Sequence, residues 1–271
     1  MASGALMSCA SAEGRASPST ATPSNTQGVH VILYQYQTCP FCNKVRAFLD
    51  MHGVPYSTVE VNPLTKAEMA WSKSYRNVPI AVVNGVQVNN SSDIINRVED
   101  LLGGPPVGQG SMAASEVEEW CGWVDSTLAK TLAPNIYRTW DESLDSFAYI
   151  SEHSNFGPLM GPVTKYTGAV LMYAISKRLK KKYGFQDERE ALYSAVQQWL
   201  ERGVADRRFA GGDTPNKADV EVFGVLRALE GYTTFRDLQE NTRMAPWYAA
   251  MQEAVGPSAQ QHALFTAPEQ R

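Results

Sequence analysis

The sequence predicts an α/β domain followed by an all-helical domain, and three observations carry that prediction. Between residues 29 and 102, strand-type and helix-type patterns alternate in the order strand, helix, strand, helix, hairpin, helix. Gly103-Gly104-Pro105-Pro106 then interrupts the chain with residues that suit a linker. Beyond it, apolar residues recur at helical spacing behind N-cap signals as far as residue 256. The expected division is a disordered leader at 1–28, the α/β domain at 29–102, a linker at 103–114, the helical domain at 115–256 and a tail at 257–271.

Each element has a local reason. The leader is mostly Ser, Ala, Thr, Pro and Gly and can bury no face. Val29 to Tyr36 is a β-type run, and Pro40 stands where the first turn of a helix tolerates proline. Val45, Phe48, Leu49 and His52 follow at helical spacing, with Gly53 as the stop. Tyr56 to Val61 reads as the second strand, and Asn62-Pro63 as the start of a helix with Leu64, Ala67 and Trp71 on one side. Pro79 leads Ile80 to Val83 into Asn84-Gly85, a strong hairpin signal, and Val86 to Val88 returns. Asn90-Ser91-Ser92 caps a helix carrying Ile94, Ile95, Val98, Leu101 and Leu102. In the second domain, Ser115-x-x-Glu118, Asp187-x-x-Glu190 and Asn216-x-x-Asp219 each read as a helix start, the last a buried capping box reaching to Glu230. Pro162 to Tyr183 is a long helix ended by Gly184, and a short last helix surrounds Trp247.

Composition narrows the function. Hydrophobic residues are 44% and charged residues 19% of the 271, which suits packed cores. A net charge of −4 lacks the basic footprint of a nucleic-acid binder. No apolar run reaches the ~18 residues of a membrane-spanning helix, so no transmembrane anchor is expected. Of four cysteines, Cys39 and Cys42 stand three apart, while Cys9 and Cys121 are isolated. That spacing suits an intracellular redox pair or reactive thiol better than a secreted disulfide scaffold.

A Cys-x-x-Cys between a strand and a helix has chemical consequences. Cys39 falls at the helix N-terminus, where unpaired N–H groups and the positive dipole end favour a thiolate. Cys42, one turn later, can resolve a mixed disulfide or donate a hydrogen bond to Cys39. Tyr36 leaves the strand beside Cys39 and can offer its hydroxyl to the sulfur. A zinc site would need four ligands, and the pair supplies two, with only His52 nearby, so no metal is expected. A cis bond before Pro79 would turn the Val78 backbone toward the thiols, where it could meet an extended peptide-like ligand. Asn90 and Ser91, at a helix start, could hold a carboxylate or simply cap the helix.

The same residues carry a family resemblance. The element order, Cys39-Pro40-Phe41-Cys42 and Val78-Pro79 resemble the thioredoxin fold as used in glutaredoxins, and the helical second domain resembles glutathione transferases. Tyr34 to Cys42, Lys44 to Asp50, Val59 to Pro63 and Tyr75 to Ile80 are similar to the type 2 prostaglandin E synthases. So are Lys165-Tyr166, Ile175 to Lys180, Phe209 to Gly212, Pro215 to Asp219, Gly224 to Arg227 and Pro246 to Tyr248. The resemblance covers residues 29–256. It implies that Cys39 is the essential thiol with Tyr36 as its hydrogen-bonding neighbour and Cys42 as helper. Phe41, Val78 and Pro79 would line a glutathione site. An acidic residue followed by serine holds the glutathione amino end in that family, and Asn90-Ser91 stands there without the charge. The implied reaction converts the endoperoxide prostaglandin H2 to prostaglandin E2, in an apolar cleft expected where the domains meet. Haem bound beside glutathione and a homodimer are further implications. A soluble intracellular location is expected, cytoplasmic first, with organelle import as the alternative suggested by the leader.

Two other functions fit the residues: a glutaredoxin-like thiol–disulfide oxidoreductase or glutathione transferase, and a non-catalytic glutathione- or haem-binding protein. Cys121 reads as a core thiol, Cys9 as incidental and His153 as a loop residue. The basic run Lys177 to Lys182 reads as the solvated end of a helix.

Overall fold

The fold is that of a computed structural model, which describes residues 26, 28–63, 65–104, 112–153 and 162–264. Nearly all of the expected leader, most of the linker, Leu64, the His153 side chain and residues 265–271 lie outside the described residues. The first domain comprises β1 (Val31–Gln35), α1 (Pro40–Met51), β2 (Tyr56–Glu60), β3 (Ile80–Val83), β4 (Val86–Asn89) and α2 (Ser91–Leu101). In the second lie α3 (Ala114–Trp123), α4 (Ala129–Ile136), α5 (Trp140–His153), α6 (Pro162–Tyr183), α7 (Glu188–Gln198), α8 (Lys217–Arg227), α9 (Thr233–Asn241) and α10 (Ala245–Val255). Short π-helical segments, Val124–Leu128 and Trp199–Val204, join α3 to α4 and extend α7. This is a thioredoxin-like mixed sheet followed by a helical region of the glutathione transferase kind.

The sheet runs β4-β3-β1-β2-β5, where β5 is Gln260–Leu264, with β1 parallel to β2 and antiparallel to β3. Asn84 and Gly85 both have positive φ (+50° and +81°), the backbone of a two-residue hairpin turn, which sets the β3–β4 register. Strand alternation sends Val31, Leu33, Ala81 and Val83 to one face, against Val45, Phe48 and Leu49 of α1 and Ile94, Ile95 and Val98 of α2. Tyr34, Val59 and Ile80 point to the other face with Met69. The first core continues without a break into the helical domain, where Trp120, Trp199 and Trp247 meet edge to face.

The two domains meet along α1 and α8 at backbone contact. A Cβ on Gly224 would lie 2.7 Å from Lys44 Cα and 2.8 Å from the Asn43 carbonyl oxygen, so only glycine admits this approach. Beside it the fully buried Lys44 places Nζ 2.6 Å from Asp125 Oδ1 and 2.8 Å from Glu221 Oε2. The Asn216 capping box forms as expected. The Asp219 carboxylate accepts from the amides of Asn216 (3.0 Å), Ala210 (2.9 Å) and Gly211 (3.0 Å), and from Trp247 Nε1 (3.2 Å). Asp187 likewise caps α7 through the Arg189 and Glu190 amides.

Four expectations change. The helix expected from Asn62-Pro63 is only a 3₁₀ turn, Ala67–Met69, because the Asn62 side chain accepts from Thr65 N and Lys66 takes left-handed backbone. The Ser115 capping box does not form: α3 starts at Ala114 behind an uncapped Ala113, which puts Ser115 inside the first turn. The helix opened at Asn216 ends at Arg227. Within the residues expected as a tail, Gln260–Leu264 form β5, parallel to β2. Among the described residues no helix is long and apolar enough to cross a membrane.

Two substitutions test this framework by denaturant unfolding. Gly224→Ala forces a methyl group into backbone and should cost about 1–3 kcal/mol. Asp219→Ala strands buried donors and should cost on the order of 3 kcal/mol.

Candidate active site

The loop between β1 and α1 carries the thiols. Cys39 is the N-cap of α1 with extended backbone, and Pro40 takes the first helical position. The Cys39 amide donates to the Tyr36 carbonyl (3.0 Å), and the Asn43 amide to the Cys39 carbonyl (3.0 Å). Cys39 is partly exposed and Cys42 fully buried, and both are free thiols. A hydrogen bond from the Cys42 thiol lowers the Cys39 pKa against the effect of burial, aided by the Cys42 and Phe41 amides and the Arg46 charge. Burial, then the hydrogen bond with Cys39, push Cys42 far up. Cys39 is thus the group suited to ionise, and Cys42 the donor that stabilises it.

A buried polar network beneath the loop holds it in place, and the sequence reading missed it. Glu60, at the end of β2, accepts from the Gln37 amide (2.7 Å) and from Gln35 Nε2 (3.2 Å). Arg46 donates through Nη1 to Gln37 Oε1 (2.7 Å), and through Nη2 to the Gln37 carbonyl (2.9 Å) and Asn43 Oδ1 (2.5 Å). Asn43 Nδ2 donates to the carbonyls of Gln37 and Cys39, both at 3.0 Å. Burial raises the Glu60 pKa to about 7, despite the Gln37 and Gln35 hydrogen bonds. The available signal was a helix face at Asn43, Lys44, Arg46 and Asp50 that is polar yet buried.

Tyr36 is close enough to the thiols to be affected by them. Burial first, then Cys39 and Cys42, push its phenol up to about 12, so it keeps its proton. Among the described residues its hydroxyl makes no hydrogen bond to either sulfur. Tyr75, also unforeseen, is raised by burial and then by Cys42, Cys39 and Asp93, which ties the start of α2 electrostatically to the thiols. The Val78–Pro79 peptide is cis. Phe41 packs at the edge of the main core.

Asn90 caps α2: its Oδ1 accepts from the Asp93 amide (2.9 Å), and its Nδ2 donates to Asp93 Oδ2 (2.6 Å). Ser91 is buried behind it. His52 is enclosed against Phe48, 4.4 Å between ring centroids, and burial lowers its pKa to about 4. Cys121 is buried in α3, and burial raises its thiol. Cys9 and the His153 side chain lie outside the described residues. A cavity of about 320 Å³ lies between α1, α8 and the start of β5. Its walls are largely polar, unlike the apolar cleft expected between the domains. An apolar cluster on the other face of the sheet includes Trp71 and Val78 with Tyr36 and Tyr75, the last two close enough to feel the thiols.

The glutaredoxin family profile matches residues 31–88. The chain is 41% identical to prostaglandin E synthase 2 of Danio rerio, over 82% of this chain and 70% of that one. It is 38% identical to prostaglandin E synthase 2 of Mus musculus, over 92% and 76%. A crystal structure of glutathione S-transferase III in apo form superposes with a TM-score of 0.56 at 15% identity, over 83% of this chain and 95% of that one.

Two measurements follow from the geometry. Cys42→Ala should move the pH midpoint of Cys39 alkylation upward by removing its donor, whereas Cys42→Ser should largely restore it. For Glu60, the folded-state pKa near 7 lies above the ordinary value of 4.5. Its contribution to stability is therefore greatest below pH 4.5 and is lost as pH rises toward 7. The stability difference between Glu60→Gln and the native chain should accordingly shift in favour of Gln across that window. A flat difference would mean that Glu60 ionises normally.

Proposed function

The chain belongs to the prostaglandin E synthase 2 family, and from that premise we propose that it is a thiol-dependent isomerase acting on the endoperoxide prostaglandin H2. The observation that carries this reading is the division of labour at the thiols. One partly exposed cysteine has a lowered pKa, supported by a buried cysteine held neutral. In the proposed route the Cys39 thiolate attacks one peroxide oxygen, forming a sulfur–oxygen bond as the oxygen–oxygen bond breaks. The released alkoxide takes the Tyr36 phenol proton. The phenolate then removes the proton from the carbon bearing the sulfur-bound oxygen. The carbonyl forms, the sulfur–oxygen bond breaks, and the Cys39 thiolate is regenerated. Atoms and electrons balance, and the product is the hydroxy-ketone prostaglandin E2.

Glutathione fits the residues around this site. The start of α2 offers N–H groups and a positive dipole end to a carboxylate. The charge missing at Asn90 is supplied three residues later by Asp93, whose carboxylate touches the Asn90 amide. An ammonium group placed there would still meet a negative charge. Among the described residues, the side chains at the site that could ligate haem iron are those of the two cysteines and Tyr36, and His52 is enclosed against Phe48. The proposed route does not pass through haem.

A second reading, thiol–disulfide exchange, is favoured by the glutaredoxin match and by the adjacent thiols of Cys39 and Cys42. One experiment separates the two: incubation with prostaglandin H2 plus glutathione or dithiothreitol, and in parallel with a glutathione mixed disulfide. The isomerase reading expects prostaglandin E2 above the uncatalysed yield, lost in Cys39→Ser and retained in Cys42→Ser. Disulfide turnover that needs both cysteines, without prostaglandin E2, would establish the exchange reading.

A further inference from the structure

The backbone before Cys39 is clamped by a polar network whose parts fit together in two ways. Gln37 is its hub. Glu60 Oε1 accepts from the Gln37 amide (2.7 Å), and Gln37 Oε1 accepts from Arg46 Nη1 (2.7 Å) and Gln35 Nε2 (3.1 Å). The same Nε2 donates to Glu60 Oε2 (3.2 Å). Arg46 fixes Gln37 Oε1 as an acceptor, so Gln35 presents its donor to both neighbours, which suits an ionised Glu60. The cost falls on the other end of the Gln35 amide. Gln35 is 1% exposed, and its Oε1 receives no donor among the described residues. A buried carbonyl in that state has lost its hydration without replacement. A protonated Glu60 reverses the fit. Its O–H faces Gln35 Nε2, donor against donor, whereas half a turn of the Gln35 amide brings Oε1 to that proton. The same turn withdraws Nε2 from Gln37, which keeps its bond from Arg46.

We propose that the Glu60 proton is a switch on Cys39: ionised Glu60 grips Gln37 and offsets the Arg46 charge, and protonated Glu60 re-pairs with Gln35 and leaves that charge to the thiol. Besides Gln35 and Gln37, three groups face this carboxyl. Arg46 of α1 favours its ionised form, Glu68 of the 3₁₀ turn opposes it, and the Tyr36 phenol feels its charge. On β5 the titratable side chain is His262, exposed and in register with Ser57. Burial outweighs Arg46 and brings the Glu60 pKa to about 7, so both forms occur near neutrality. The Arg46 charge also favours the Cys39 thiolate. Protonation of Glu60 therefore eases ionisation of Cys39, and by reciprocity the thiolate makes Glu60 hold its proton more tightly.

The switch rests on Cys39 as the reacting thiol of the isomerase reading, but iodoacetamide reads it without prostaglandin H2, so failure of one is distinguishable from failure of the other. The full chain is followed against pH by NMR, through the Gln37 backbone amide and the Gln35 side-chain amide, and by the rate of Cys39 alkylation. In Cys39→Ser, where no thiolate forms at that position, both amides should shift together with a midpoint near 7. Adding Glu60→Gln should abolish that shift. In the native chain alkylation should rise with pH in two steps, because the thiolate forms against neutral and then anionic Glu60. Glu60→Gln places an amide donor where protonated Glu60 has its O–H. It should show one step, about twofold or more faster below the native midpoint. The Cys39→Ser titration and the native profile do not depend on the folding of Glu60→Gln. Amides that show no common midpoint in Cys39→Ser would overturn the proposal. So would a shift that survives Glu60→Gln, or a native alkylation profile with a single step.

Discussion

Lys44 carries an ammonium group that never meets water, and the placement of the thiol helix depends on how that charge is held. Burial alone would lower its pKa, but Glu221 and Asp125 together outweigh burial and hold it raised. A buried pair of this kind contributes little net stability, yet removing one partner leaves an uncompensated charge costing about 3–5 kcal/mol. Its value here is positional. Asp125 comes from the π-helical segment after α3, Glu221 from α8, and Lys44 from the helix that Cys39 caps and whose first turn holds Cys42. Gly224 allows the helices to approach until these groups meet. The second domain therefore sets the position of α1, and through α1 the position of Cys39.

The other polar residues of α1 act inward on the thiol loop. Asn43 and Arg46 hold the Gln37 carbonyl from below, and Glu60 holds the Gln37 amide from β2. Gln37 is two residues from Cys39, so the backbone leading to that thiol is fixed at both donor and acceptor. The Arg46 charge also lowers the Cys39 pKa, which makes one residue both an anchor of the loop and a source of the field around the sulfur. Cys42 remains neutral beneath, a donor that burial keeps from competing as a nucleophile.

The parts of this arrangement that local chemistry decides were legible in the sequence. Asn84-Gly85 dictates its hairpin, Asp187 and Asn216 cap their helices, and Pro40 starts α1 immediately after Cys39. The failures have two physical causes, a local signal satisfied in another way and dependence on residues far away in the chain. Ser115 and Glu118 have the letters of a capping box, but the helix begins two residues earlier than that box would start it. Asn62-Pro63 has the letters of a helix start, but the Asn62 side chain caps a turn instead. Arg46 and Glu60 carry no local mark of their role, which appears only when Gln37 is folded between them. Tyr75 joins the site only through the close approach of the loop before β3 to the thiols. Gln260–Leu264 lacks an alternating apolar face because it lies at the sheet edge, where backbone pairing with β2 defines it.

That edge strand has a consequence for how the molecule is made. Gln260 donates to Thr58 across 202 residues, and Ser258 and Ala259 donate to Asp50 in the last turn of the thiol helix. The strand that completes the sheet is synthesised after the whole helical domain, so the outer edge of β2 waits unpaired through most of translation. An open edge of this kind invites non-native pairing, and contacts this distant in sequence form slowly. The α/β unit cannot close its own sheet until the helices behind it have been built.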